Sequence, residues 1–285
     1  MDAMTAPLAV PTDVLLRLSH ACLEHVAGGA GVRILHVKGV SLHPELSAGR
    51  GASSDCDVLV DPAGVSALVQ ELLDQGWEQR THFEQGSVFG HAATFYSPVW
   101  GTVDLHRHFP GLEADPARTF EEFWSRRETV ELGGWDCAVP DLVSQRLLLL
   151  VHAARDAMGR RDGDLASAWT ALDDAERAQL DALADRLGAR VPLAIVTGRP
   201  ERARGLHGKH LWEAVHRDAN PTEVWRARLR DARGVRERVR VLLSAAHVNR
   251  DHLEIRLGHP PTPEELRREW WERWPRGLRR LGRRG

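Results

Sequence analysis

Two acids one residue apart, Asp55 and Asp57, open the run Ser54-Asp55-Cys56-Asp57-Val58-Leu59-Val60. The apolar stretch that follows reads as a buried strand. Side chains in a strand alternate faces, so both carboxylates point the same way. Held that close they repel, and burying either one unpaired is costly. A divalent cation answers both difficulties, and the pair is expected to form a metal-dependent site at the lip of a sheet.

Two further features bear on that expectation. Lys38-Gly39-Val40-Ser41 lies at a strand-to-helix turn. Glycine there lets backbone approach a ligand, a helix N-terminus attracts phosphate, and lysine adds a point charge. Val103-Asp104-Leu105-His106 places another acid within a strand. A third carboxylate beside the first two completes an all-oxygen site of the kind magnesium prefers. Two such ions can clamp the attacking and leaving oxygens of a phosphoryl displacement.

In this order the motifs resemble the nucleotidyltransferase superfamily of the DNA polymerase β type. More narrowly, they resemble the bacterial uncharacterised nucleotidyltransferases, with their Lys-Gly turn, Asp-x-Asp strand and Asp-Leu-His strand. The likeness covers roughly residues 30 to 110, with an echo at His152 and Asp164-Leu165. It implies a mixed-sheet catalytic core flanked by helices. Asp55, Asp57 and Asp104 are its catalytic and metal-holding residues for Mg²⁺ or Mn²⁺, and Asp104 also activates an acceptor hydroxyl. Lys38, Gly39, Ser41, Arg50 and Ser54 are implied on the phosphates of a nucleoside triphosphate such as ATP. The usual Gly-Ser turn is Gly39-Val40-Ser41 here, and Arg50 stands five residues before Asp55 where many relatives have an arginine four before. His91 and His106 are candidates for orienting Asp104 or the acceptor. The implied partners are the triphosphate and an acceptor that the sequence does not identify.

Two rival readings come from the same residues. Asp104, His106 and His108 occupy alternate positions, and a straight strand puts all three on one face. With His91 they suggest a zinc hydrolase that keeps one coordination position open. Alternatively, the site binds nucleotide without chemistry.

The remaining sequence must position these groups. Helical spacing over Asp13–Ala27, a strand at 32–37, a short helix near 41–46, the strand at 56–60 and a helix capped by Asp61-Pro62 and stopped at Gly76 give an α/β pattern. Strands are expected at 77–83, 88–96 and 102–108, then a helix at 117–126 and an extended segment at 129–139. After Pro140 strand signals vanish. Helices are expected at 142–158, 164–187, 210–216 and 223–246. The fold class is therefore α+β, with an α/β N-terminal half and an all-helical second half forming the far wall of a cleft. The domains expected are 1–140, 141–259 and a tail at 260–285 with a short helix and a frayed end.

Composition limits the partners. The formal net charge is -2, which argues against a globally nucleic-acid-binding surface. The tail from Glu264 carries eight arginines against four glutamates, locally +4; RNA binding there is a lesser reading than a solvated tail. Trp270, Trp271 and Trp274 are expected to anchor the tail. No apolar run approaches the ~18 residues of a membrane span, and the N-terminus lacks a signal-peptide pattern. Cys22, Cys56 and Cys137 fit neither a zinc spacing nor a disulfide framework, so a cytoplasmic protein with reduced thiols is expected.

Overall fold

A computed structural model describes residues 10–48, 50, 53, 55–83, 91–155, 161–246 and 248–281. The chain divides into two compact units, residues 1–80, 92–108 and 116–145 in the first and residues 81–91, 109–115 and 146–285 in the second.

The first unit is built on a mixed five-stranded sheet. Helix α1 (Thr12–Gly29) leads to β1 (Ile34–Val37), a 3₁₀ turn (Gly39–Ser41) and α2 (Pro44–Ser47). Then come β2 (Cys56–Val60), α3 (Val65–Asp74), β3 (Glu78–Gln79), β4 (Ala92–Ser97), β5 (Gly101–His106) and α4 (Pro116–Trp124). The spatial order is β1-β2-β5-β4-β3. Only the central β2–β5 pair is parallel.

Register explains both faces. Val37, Asp57, Asp104 and Thr94 form one row across β1, β2, β5 and β4. The next row is His36, Val58, Leu105 and Ala93, and alternation turns it to the opposite face. There β2 and β5 also bury Cys56, Val60 and Val103. Helix α1 covers this second face and brings His20 against His36. Strand β2 is therefore buried along its whole length and still carries a carboxylate on one face.

Beside the sheet lies a hairpin, β6 (Glu128–Leu132) and β7 (Trp135–Val139). The extended segment expected at 129–139 is thus two strands. Their two-residue turn, Gly133-Gly134, has both φ angles positive at 61° and 81°, as a tight hairpin requires. Helix α3 starts at Val65 instead of at Pro62, because Asp61 accepts the backbone N–H groups of Ala63 and Gly64 in a preceding turn. Asp61 also holds Arg33 at 2.6 Å, and Arg33 lies over the rings of Phe120 and Trp124 on α4. The strand expected at 102–108 ends at His106. Residues 88–90 of the strand expected before Tyr96 fall outside the described residues.

The second unit is helical. The described helices are α5 (Leu142–Ala153), whose first residues belong to the first unit, α6 (Arg161–Leu165), α7 (Asp174–Leu187), α8 (Arg190–Val196) and α9 (Lys209–His216). They continue as α10 (Pro221–Asp231), α11 (Gly234–Ala246), α12 (Arg250–Leu257) and α13 (Pro263–Leu281). Reciprocal capping boxes begin α7 (Asp173/Glu176) and α10 (Asn220/Glu223), satisfying N–H groups that each helix start leaves open. Gly234, at φ 81°, follows the break that splits the helix expected at 223–246. The tail holds a long helix, 19 residues, where a short one was expected. No helix among the described residues is long and apolar enough to cross a membrane.

The hairpin turn is a sharp test of this packing. A Cβ on Gly133 would meet the Arg17 carbonyl oxygen of α1 at 3.0 Å. Gly133→Ala, forced into left-handed backbone against a carbonyl that cannot swing away, is expected to cost roughly 1–2 kcal/mol or more. Urea denaturation checks this, with Gly134→Ala, whose added Cβ meets nothing within 4 Å, losing less.

Candidate active site

The carboxylates of Asp55, Asp57 and Asp104 converge, one oxygen of each lying within 4.8 Å of the others. Strand β2 carries Asp57, and Asp55 precedes it by one alternation. Parallel pairing sets Asp104 beside Asp57. The expectation that all three acids share one face is met by this geometry. Asp57 is buried, while Asp55 and Asp104 are half-buried.

A buried carboxylate needs donors. Lys38 Nζ donates to Asp57 Oδ1 at 2.7 Å, and His106 Nε2 approaches the same oxygen at 2.6 Å. An ionised carboxylate only accepts, so His106 carries its proton on Nε2. Burial opposes the charge on Asp57, but Lys38 and His106 outweigh it and hold the carboxyl well below the usual range. Asp104 moves the other way. Burial and then the negative charge of Asp57 raise it, against a hydrogen bond of 2.7 Å donated by Thr94 Oγ1 to its Oδ1. Two neighbouring acids are thus driven apart, a pattern typical of acid–base sites.

The Lys38 turn carries strain. Lys38 has φ 63° and ψ -175°, a region essentially reserved for glycine and costing of order 1–3 kcal/mol. Its ion pair with Asp57 and the hydrogen bond of 2.7 Å from Ser41 Oγ to the Lys38 carbonyl hold it there. Gly39 follows with φ 54°, and a Cβ on it would meet Ser53 Oγ at 3.0 Å. Farther along, the His43 N–H donates to Gln145 Oε1 at 2.7 Å, anchoring the end of the turn.

The other expected residues distribute as follows. Ser41 is buried, with its hydroxyl on the turn it belongs to. Arg50 is half-buried beyond α2, its N–H on the Ser47 carbonyl, and Ser54 lies outside the described residues. His106 contacts Asp57 rather than Asp104. His91 is buried and belongs to the second unit, as do His152 and Asp164. The zinc reading required a straight strand through His108, but β5 stops at His106 and the chain bends there. Among the described residues, the metal-capable group that includes Asp104 contains Asp55 and Asp57 and neither histidine. Thr94 was not foreseen. Its signal was present as a polar position alternating with buried Ala93 and Phe95 in a strand beside the acid.

The donor set suits a hard ion. Three carboxylates offer oxygen alone, as magnesium prefers, and the mutual repulsion that raises Asp104 is what a cation would relieve.

The sequence matches the uncharacterised nucleotidyltransferase family over residues 9–202. That span takes in the whole five-stranded sheet, the strained turn and all three acids. No curated protein matches the sequence. With more than half of its length matched and the acids drawn together on one face of the sheet, this chain belongs to the uncharacterised nucleotidyltransferase family.

Proposed function

We propose that the protein transfers a nucleoside monophosphate from a nucleoside triphosphate to a hydroxyl or phosphate acceptor, releasing pyrophosphate, with Mg²⁺ or Mn²⁺ held by Asp55, Asp57 and Asp104. The observation that carries this reading is the convergence of three carboxylates, two on the neighbouring strands β2 and β5 and one just before β2, next to a strained Lys-Gly turn. When bound, the ion supplies positive charge against the triphosphate.

The chain's own groups divide the remaining work. Lys38 and His106 keep Asp57 ionised and fix its Oδ1. Asp57 therefore presents a charged second oxygen to the site. Asp104 is the proton acceptor. Thr94 occupies its Oδ1, and its raised affinity for protons brings it closer to the working pH of a general base. For a hydroxyl acceptor, the acceptor oxygen forms a bond to the α-phosphorus as the bond to the bridging oxygen breaks. The acceptor proton passes to Asp104, and pyrophosphate leaves with the bridging-bond electrons. Gly39 has no side chain to hinder a phosphate near the turn. Arg50 and Ser54 remain proposed phosphate contacts by analogy with the family. Catalysis of this kind rests on positioning and electrostatics rather than a covalent protein intermediate.

The purified protein, incubated with each of four nucleoside triphosphates and Mg²⁺ or Mn²⁺, is expected to show a raised melting temperature with at least one, since a ligand bound only by the folded state must stabilise it. With an acceptor present it is expected to release pyrophosphate. Asp57→Asn should reduce release at least about 10²–10³-fold, the scale of losing one preorganised electrostatic group. Triphosphate binding without pyrophosphate release under any acceptor would favour a binding module, and full activity in Asp57→Asn would sink the metal assignment.

The same electrostatics predict a trade of stability for function. In metal-free protein Asp104→Asn removes a repelled charge yet keeps an Oδ1 acceptor for Thr94. Because the folded state raises this acid, the cost of ionising it builds above the ordinary aspartate range near ~3.9 and is complete above the raised value. The variant should therefore melt at a higher temperature than wild type at pH 7. That gain should disappear below about pH 4, while transfer is lost. Melting curves across pH check the sign.

A further inference from the structure

The face of the sheet opposite the three acids carries a second polar cluster that the proposed reaction does not use. His36 of β1 sits at its centre, fully buried. Its Nε2 lies 2.8 Å from Glu24 Oε2 of α1, and its Nδ1 lies 2.7 Å from Nδ1 of buried His20. Cys137 of β7 is buried beside them. Donor atoms of Glu24, His36 and Cys137 all fall within 4.8 Å of one another, and so do those of His20, His36 and Cys56. The outer nitrogen of His20 is buried with no hydrogen-bond partner.

An apolar core does not ordinarily collect such groups, since each costs free energy to bury. Burial works against charge on each of them: Glu24 is pushed up to about 7, Cys137 to about 12, and His36 down to about 3. A divalent ion reverses that balance, because carboxylate, imidazole and thiolate are all zinc ligands.

We propose that Glu24, His36 and Cys137 form a binding site for Zn²⁺ or a similar thiophilic divalent ion, separate from the carboxylate site, with His20 positioning His36.

Two observations select this triad over the one with Cys56. Two of its ligands become anionic, so a 2+ ion is neutralised by its own ligands, whereas the other triad leaves a net charge in the core. Glu24 is 24% exposed in its side chain, giving the ion a way in and leaving room for a fourth ligand, while His20, His36 and Cys56 are all buried. In this triad His36 would ligate through Nε2 and keep His20 on Nδ1, the outer partner that a zinc-bound histidine almost always has. Ligation requires little rearrangement. With Zn–N and Zn–O near 2.0–2.1 Å, the tetrahedral N···O separation is about 3.3 Å, a small opening from the present 2.8 Å. The ion would tie α1, β1 and β7 together behind the sheet and thereby support the strand that ends at Lys38.

The full chain, freed of metal with a chelator, is titrated with Co²⁺ and then Zn²⁺. Thiolate-to-cobalt charge-transfer absorption saturating at one ion per chain, and abolished by Zn²⁺, is the expected result. Co²⁺ on the three aspartates has no sulfur ligand and gives no such band, so failure here and failure of the proposed transferase site are distinguishable. Cys137→Ser should lose the band, while Asp57→Asn and Cys56→Ser should keep it. Glu24→Gln should weaken binding at least tenfold, and His20→Asn about 10–100-fold, the usual effect of removing a histidine's outer partner. If Cys137→Ser does not fold by circular dichroism, the half-exposed Glu24→Gln decides. No band in wild type, unchanged affinity in Glu24→Gln, a band that survives Cys137→Ser, or its loss in Cys56→Ser would overturn the assignment.

Discussion

Everything at the carboxylate face depends on keeping Asp57 ionised inside the protein. A buried carboxylate without donors would take up a proton. Here the ammonium of Lys38 and the imidazole of His106 converge on one oxygen. This dictates other features of the unit. Lys38 must follow β1 directly and accept a backbone conformation that favours glycine. His106 must end β5 two residues beyond Asp104, on the same face. The parallel pairing of β2 with β5 in an otherwise antiparallel sheet puts the acid and the histidine within reach of Asp57.

The same arrangement creates a difference between neighbours. Asp57 holds its charge because Lys38 and His106 donate to it, and Asp104 resists ionisation because it is buried beside the charge of Asp57. A cation binder needs the first property and a proton acceptor is helped by the second. Nearly identical side chains acquire separate tasks from position alone, at a cost in stability that the buried apolar rows of β2, β4 and β5 offset.

Much of this was legible in the sequence. The alternation of Asp55 and Asp57 ahead of Val58-Leu59-Val60 indicated both a strand and a shared face, since the period of a strand is a local property. The bounds of β2, the stop of α3 at Gly76 and the helical texture after Pro140 follow from equally local signals. Elements were misjudged where the deciding contact is distant or the turn is subtle. The side chain of Asp61 organises a turn before α3 instead of capping it, and 129–139 folds back on itself through two left-handed glycines. The strand expected through His108 stops at His106, where the chain bends. The single apolar pattern at 223–246 hides a break just before Gly234.

The sequence by itself determined which residue types stand at which strand positions, and so the shared face of the acids, the α+β class and the family. Their local period encodes this. Only the tertiary structure decided which groups meet across the chain. Lys38 spends its charge on Asp57, Thr94 steadies Asp104, and His106 serves Asp57 rather than its own strand neighbour. Likewise Cys137, too far along the chain from Glu24 and His36 to form any readable spacing, lies beside both. Strand register and helix docking set such meetings. They arise from burying whole apolar faces together, a cooperative property that no short stretch of sequence contains.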